Sequence, residues 1–506
     1  MWAKLRASFP FLFTIGLAAA CRFYALNRIP PGIYWDEVID GQAGLEAVRA
    51  ASFQVFYHVG SGREGLWINM VGIAEALFGA NPFALRVCAA LAGTLTVVFV
   101  YLLARELFTS RIAIFSAWFL ALGFWPLWLS RMAFRAVLVP LVLSASLYFL
   151  LHAWREDYPE PSPASRWLLV VVSGALYGLG FHTYIAFRFT PLLIAVIYLG
   201  EYRRRKASGR VPMRWLAMGT VWLGAALLVA LPLGLYFLHH PQDFWLRARQ
   251  VSIFAAPNPA KALGTALLAT AGMFNLRGDP GALFNIPESP HLLPPVGILF
   301  LLGLALAGKR AFRRDFSASG YRWLCAWFAI LLVPQIFTLD VPNSVRVVGA
   351  MPPVFIFAGV GADVVYERLR HRKAYTYAFF LCLVLVGAVE IYRYFVVWGR
   401  NPEVARAFGQ RYVEVGRYVN TLPKGTACYV IAGDWGQKTV RFLTQDTRAV
   451  ESLDAEQVMT TTFPCDSVIV PLYNAPMVFA DLANRKLKIQ SVDERDFTAA
   501  VVRCTP

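Results

Sequence analysis

Two adjacent acids, Asp36 and Glu37, follow Tyr34-Trp35 shortly after the first long apolar run of the chain. Further on, Gly62-Arg63-Glu64-Gly65-Leu66-Trp67 supplies another carboxylate beside an arginine. A carboxylate held at a membrane–water boundary can take a proton from an incoming nucleophile. Each acid also has a structural explanation. Asp36 would N-cap the run from Val38, with Glu37 favouring the positive helix N-terminus. Ser61-x-x-Glu64 reads as a capping box opening a helix to Phe78.

A second group is cationic. Arg131 and Arg135 lie in Ser-Arg-Met-Ala-Phe-Arg, Arg188 follows His182-Thr183-Tyr184, and Arg346 closes Pro342-Asn-Ser-Val-Arg. Each sits at the outer end of an apolar run, where ionisable groups are expensive and tend to be paired or functional. The planar guanidinium fork suits phosphate. Snorkelling to lipid headgroups is the plainer explanation for any one of them. Several on one side point to an anionic ligand at the outer leaflet. His182 and Tyr184 would line the same cavity, as would Trp35 and Glu37, although a lone histidine in a span is more often a packing residue.

The elements that must position these groups are membrane spans. Of 506 residues, 58% are hydrophobic, and the mean hydropathy is +0.51. Apolar runs at 8–26, 84–104, 112–130, 136–154, 167–186, 189–200, 215–238, 294–308, 323–338, 347–363 and 374–397 predict about eleven transmembrane helices. The first follows Lys4 and Arg6 and reads as an uncleaved span. The net charge of +17 fits basic cytoplasmic loops and gives no reason to expect nucleic acid. Arg105/Arg111, Arg155/Arg166, Arg203–Lys206 with Arg210 and Arg214, Lys309/Arg310 with Arg313/Arg314, and Arg368–Lys373 all fall on one side. With the N-terminus inside, the loop at 27–83, the His239–Leu293 loop and the tail lie outside. An apolar run from Lys261 to Phe274 is too short to span and lies at the interface or re-enters.

Beyond Trp398 the composition turns polar. A helical pattern from Asn401 to Val419 and strands at Cys428–Ala432, Ser467–Leu472, Leu487–Val492 and Ala499–Cys504 predict a small α/β domain. The expected division is 1–397 in the membrane and 398–506 soluble and extracytoplasmic. Cys428, Cys465 and Cys504 allow one disulfide with one thiol left over. Cys21, Cys88, Cys325 and Cys382 read as packing residues. No cysteine–histidine cluster points to structural zinc.

Taken together, Asp36-Glu37, Gly-Arg-Glu-Gly-Leu-Trp, Ala-Leu-Phe-Gly-Ala-Asn-Pro-Phe-Ala-Leu-Arg-Val-Cys-Ala-Ala-Leu-Ala-Gly, Gly178-Leu-Gly-Phe-His-Thr-Tyr-Ile-Ala-Phe-Arg188 and Asn343-Ser-Val-Arg-Val-Val-Gly-Ala-Met-Pro352 resemble a family. It is that of the integral-membrane glycosyltransferases using polyprenyl-phosphate sugars (GT-C type), such as protein O-mannosyltransferases, lipid A aminoarabinose transferases and bacterial phospholipid-carrier-dependent enzymes. The resemblance covers roughly 1–397 and implies a cavity beneath a large first extracytoplasmic loop. There Asp36 matches the acid that positions and deprotonates the acceptor, Glu64 a second acid, and Arg63 its basic neighbour. Many relatives carry His-Pro-Pro or Lys-Pro-Pro where this chain has Arg63-Glu64-Gly65-Leu66, a departure that bears on acceptor identity more than on reaction type.

The expected reaction moves a sugar from a polyprenyl-phosphate carrier to a glycolipid, polysaccharide or protein on the outer side of the cytoplasmic membrane, in cell-envelope or lipopolysaccharide biosynthesis. Arg63, Arg131, Arg135, Arg188 and Arg346 are the candidate phosphate ligands, and direct displacement inverts the anomeric carbon. No cofactor is required; a divalent metal is left open, with no residue assigned to one. The competing class is a flippase or a non-catalytic binder of an anionic polyprenyl lipid. Paired interrupted spans, the mark of a transporter, are not legible in the sequence.

Overall fold

The computed structural model describes residues 2–155, 162–209, 211–313, 318–445, 450–485, 488–494 and 497–503. Arg210, Arg314, Leu487 and Cys504, which figure in the expectations above, lie outside them. The described chain forms two compact units. One comprises 1–24, 53–67 and 87–398; the other comprises 25–52, 68–86 and 399–506.

The first unit is helical, and all eleven predicted runs are helices or parts of helices. Among the described residues seven are long and apolar enough to cross a membrane: Pro82–Leu107, Arg135–Ala153, Ile185–Ala207, Met213–His239, Pro294–Ala311, Val348–Leu369 and Lys373–Trp398. Phe9–Phe23, Ser110–Leu122 and Ala164–Gly180 are shorter apolar helices, and Ser319–Ile336 has 18 residues. The run predicted at 112–130 is two helices, Ser110–Leu122 and Phe124–Leu129, because Gly123 turns to ψ 140° between them. Thr109 starts the first of these by accepting a hydrogen bond from the Ile112 amide. Met351–Ala362 is buried along its whole circumference, and the Pro294–Ala311 and Ser110–Leu122 helices pack against it. A helix that is apolar all round belongs at such a centre.

Buried tryptophans fasten the irregular segments to these helices. Indole N–H groups donate from Trp125 to the Ser344 carbonyl, from Trp327 to Gly349, from Trp128 to Leu283 and from Trp398 to Ala282, at 2.8–3.1 Å. Each buries a large apolar body and gives its indole N–H a backbone acceptor.

The second unit contains the Trp35–Arg49 helix, most of the Gly65–Phe78 helix, and the tail. In the tail a five-stranded sheet has the order β4-β3-β5-β7-β6. Its strands are β3 (Cys428–Ile431), β4 (Val450–Leu453), β5 (Val468–Pro471), β6 (Lys488–Asp493) and β7 (Thr498–Arg503). The short hairpin strands β1 (Phe56–Tyr57) and β2 (Arg63–Glu64) belong to the first unit. β3 pairs parallel with β4 and β5; β7 pairs antiparallel with β5 and β6. Successive side chains alternate between two apolar layers. Val430, Val468 and Val470 pack with Val415, Val419 and Val440, while Tyr429, Ile431 and Ile469 pack with Val458, Val478 and Leu482. The predicted helix at 401–419 is two, Pro402–Ala407 and Gln410–Thr421, separated by Gly409 at φ +58°. Cys465 is disulfide-bonded, and Cys428 is a buried thiol outside any disulfide.

The Trp35–Arg49 and Gly65–Phe78 helices touch backbone to backbone. A Cβ on Gly72 would lie 2.2 Å from the Gly44 carbonyl oxygen, and one on Gly44 2.5 Å from that of Ile68. This contact brings Asp40 and Glu75 together in the interior, 1% and 2% exposed, and neither Glu75 carboxylate oxygen has a hydrogen-bond partner. Burial pushes the Glu75 carboxyl up to about 9, the Asp40 charge adds to the shift, and Arg49 opposes it. The folded protein therefore holds a proton that the unfolded chain releases near 4.5. Stability from this group is complete below that value and is lost as pH rises toward about 9. The slope is at most about 1.4 kcal/mol per pH unit. Glu75→Gln is expected to remove this slope and to raise the unfolding temperature at pH 8 but not at pH 4, measured by thermal unfolding in detergent. A parallel pH dependence in wild type and variant would contradict it.

Candidate active site

Asp36 lies in the first turn of the Trp35–Arg49 helix and is partly exposed. It does not cap the helix: the N-cap is Tyr34, whose amide donates to the Glu37 carboxylate at 2.9 Å. Glu37, expected to line a cavity, is instead fully buried and held by both Nε and Nη2 of Arg86 at 2.9 Å. Arg86 also donates to the Pro30 and Gly32 carbonyls at 2.8 and 2.7 Å. One guanidinium thus ties the entering loop to the first helical turn. Gly32 sits at φ +81°, where a Cβ would lie 2.4 Å from the Phe408 carbonyl oxygen, so only glycine fits there. Beside Asp36, the Lys438 ammonium lies 4.8 Å from the Trp35 ring. The Tyr34 ring meets Phe408 and Trp435 edge-on.

Glu64 lies on β2, and the following helix begins at Gly65. The capping box read from Ser61-x-x-Glu64 therefore does not form. β2 pairs antiparallel with β1, and both strand residues are buried. The Glu64 carboxylate instead receives two of the arginines singled out in the sequence. Arg188 Nη2 donates to Oε1 at 3.3 Å. Arg135 Nε forms an ion pair with Oε2 at 3.3 Å, but the two atoms are not aligned for a hydrogen bond, and both are buried without a hydrogen-bond partner. Arg188 Nη1 donates to the Phe244 carbonyl at 2.7 Å, and its guanidinium lies over the Phe244 ring at 4.3 Å. Arg135 lies 5.7 Å from the Tyr184 ring. Burial raises the Tyr184 phenol above its ordinary range, and the charges of Arg135, Arg346 and Arg247 oppose that shift. These three cations and the Glu64 acid thus act on one phenol. Arg63 is buried on β2 with its guanidinium against Gly60.

Three further predicted residues of the first unit hold structural positions. Arg131 is fully buried. Its Nη1 donates to the Cys21 and Arg22 carbonyls at 2.8 and 2.7 Å, closing the end of the Trp2–Phe23 helix. Arg22 returns the favour for the Ser110–Leu122 helix, donating to the Leu120 and Ala121 carbonyls. Cations at helix C-termini satisfy orphan carbonyls and oppose the dipole. His182 donates from Nε2 to the Val229 carbonyl at 2.9 Å, three residues before the helix-interior Pro232. Arg346 is tied to its own loop through Thr338 Oγ1 and Asp340. That loop is pinned by Ser344, whose amide and hydroxyl donate to Asp279. His291 Nε2 lies 3.0 Å from Ser344 Oγ; burial lowers this imidazole to about 4, so it is neutral and is the acceptor or donor of a neutral bond.

Sequence reasoning missed Arg86, the partner of Glu37, and Arg247, which acts on Tyr184. Both lie in stretches expected from the sequence to face away from the dense basic loops, the signal that singled out the other arginines. Among the described residues, no group of three or more His, Cys, Asp or Glu side chains is placed to hold a metal ion.

Residues 66–237 match the family model described as dolichyl-phosphate-mannose-protein mannosyltransferase. Among solved structures, ArnT from Cupriavidus metallidurans bound to undecaprenyl phosphate aligns over 98% of this chain and 98% of its own, at 15% identity and TM-score 0.58. The fold is shared with that structure. The archaeal oligosaccharyltransferase AglB from Archaeoglobus fulgidus, in complex with an inhibitory peptide and a dolichol-phosphate, aligns over 90% of this chain and 65% of its own, at 13% identity and TM-score 0.53. No protein of curated function matches the sequence. The ArnT alignment, over 98% of this chain, includes most of the tail.

Proposed function

We propose that this chain is an inverting glycosyltransferase that moves a sugar from a polyprenyl-phosphate carrier to a glycolipid, polysaccharide or protein acceptor. The reaction takes place at the outer face of the cytoplasmic membrane, in assembly of the cell envelope, with the N-terminus inside and the tail outside. The observation that carries this reading is the Glu64–Arg135–Arg188 cluster. One carboxylate opposes two guanidiniums, leaving a net positive charge, and a donor and an acceptor atom stand 3.3 Å apart without forming a hydrogen bond. An incoming phosphate can take the Arg135 fork while Glu64 keeps Arg188 oriented. An apolar groove of 560 Å³ lined by Tyr177, Phe181, Ile194, Trp222, Leu223 and Leu227 supports a lipid chain as the rest of the donor.

In the proposed reaction Asp36 takes the proton from the acceptor hydroxyl. The oxygen attacks the anomeric carbon opposite the phosphate, the glycosyl C–O bond breaks, and polyprenyl phosphate departs with its electron pair to the arginines. No cofactor enters these steps; a required divalent metal would show as loss of transfer on chelation. Arg135→Lys and Arg188→Lys each keep a charge but lose the planar fork. Each is expected to lower kcat/KM about 10- to 100-fold, mainly by raising KM for the lipid-linked donor, consistent with about 1.4–2.7 kcal/mol of lost charge-assisted bonding. Steady-state transfer from polyprenyl-phosphate sugars, beside the matching sugar nucleotides as controls, tests this. Equal use of a soluble sugar nucleotide, or lysine variants with wild-type KM, would contradict the reading.

A further inference from the structure

The second unit carries a polar pocket of its own. It has a volume of 410 Å³ and is lined by Ala405, Arg406, Gly409, Gln410, Arg411 and Tyr412, within the size range of small-molecule sites. Arg406 and Arg411 are exposed, and among the described residues neither makes an ion pair with a carboxylate. Arg411 lies over the Tyr412 ring at 5.1 Å and donates to its hydroxyl at 3.3 Å, which holds the guanidinium at the pocket. Gly409 is the N-cap of the twelve-residue Gln410–Thr421 helix and offers the first amides no side-chain oxygen. Behind Gly409 stands Trp435. A Cβ on Gly409 would lie 2.9 Å from the indole, the Tyr412 and Trp435 rings are 5.3 Å apart, and the indole N–H is buried without a partner. Two forked cations, an uncapped helix N-terminus and the Tyr412 ring line the pocket, with the Trp435 indole packed behind Gly409. The cations and amides suit an anion. The Tyr412 ring offers a flat apolar face and a polar edge, which suit the CH face and hydroxyls of a sugar.

We propose that this pocket binds an anionic sugar of the acceptor, one bearing a phosphate or a carboxylate. The assignment to the acceptor rests on the function proposed above. Gly32 packs on Phe408 and Gln410, so the pocket adjoins the loop entering the helix of Asp36, the residue proposed to act on the acceptor. A sugar held there by its charge leaves its hydroxyls to be presented along that loop.

The test uses the full-length protein in phosphatidylcholine nanodiscs, with glucose 6-phosphate, glucuronate and glucose as probes, read by saturation-transfer NMR and calorimetry without any donor. Both anionic sugars are expected to bind at least about tenfold more tightly than glucose, a difference of about 1.4 kcal/mol. Arg406→Gln combined with Arg411→Gln removes that preference, and Tyr412→Leu weakens both anionic sugars. Unchanged thermal unfolding of each variant shows that the fold is kept. Equal binding of glucose, or a preference that survives the double substitution, overturns the proposal. Binding to bilayers containing phosphatidylglycerol but to neither anionic sugar overturns it too, and assigns the pocket to lipid headgroups. A protein that transfers sugar but shows no anionic-sugar preference fails this inference alone; one that keeps the preference but transfers no sugar fails the proposed function alone.

Discussion

Asp36→Asn is expected to lower sugar transfer by two to four orders of magnitude, the usual contribution of a positioned general base, while leaving binding of the lipid donor unchanged. The substitution is nearly isosteric and removes only the capacity to take a proton. Asp36 sits in the first turn of a helix whose start is fixed independently, by Glu37 and Arg86, so the variant should fold as the wild type does. Parallel measurement of initial transfer rate and of donor affinity separates the two effects. A variant with wild-type kcat would remove Asp36 from the chemistry and leave it a surface acid at a helix N-terminus.

Arg86→Ala is expected to destabilise the second unit by about 3–5 kcal/mol, the cost of leaving a buried charge without its partner. Both members of the Glu37–Arg86 pair have fully buried side chains. The deletion also strips the Pro30 and Gly32 carbonyls of their donors. Glu37→Gln should be milder, because the amide oxygen can still accept from Arg86 and no bare carboxylate is left behind. Because the same guanidinium fixes the loop before Asp36, transfer should fall in Arg86→Ala even at temperatures where the protein stays folded. Thermal unfolding together with activity at low temperature measures both consequences. An unfolding midpoint within a degree of wild type would show that the pair carries little.

The spans were legible because twenty-odd apolar residues have few alternatives to a helix in a bilayer. Their interruptions were less so. Gly123 breaks one predicted span, and Gly409 divides one predicted helix, yet glycine is tolerated within many helices. β4 (Val450–Leu453) was missed: it is an edge strand with one buried residue, so it carries almost no apolar alternation. The site residues illustrate a different limit. A capping-box spacing is a local pattern, and at Glu64 it lost to long-range partners, Arg135 and Arg188, that lie far along the chain. The rule that outer arginines are worth noticing picked out Arg131, Arg135, Arg188 and Arg346 alike. It could not separate a guanidinium that closes a helix end, as in Arg131, from one that faces a carboxylate. That distinction depends on which carbonyls and acids the fold brings within 3–4 Å.

The measurement that bears most directly on the central claim is the fate of a radiolabelled sugar supplied on polyprenyl phosphate to the purified protein reconstituted in vesicles with a membrane extract as acceptor. The account predicts that label leaves the lipid phosphate, appears covalently on an acceptor with inverted anomeric configuration, and stays on the donor in Asp36→Asn. Label that crosses the bilayer still attached to its carrier, equally in wild type and variant, would contradict it and make the protein a transporter of the lipid.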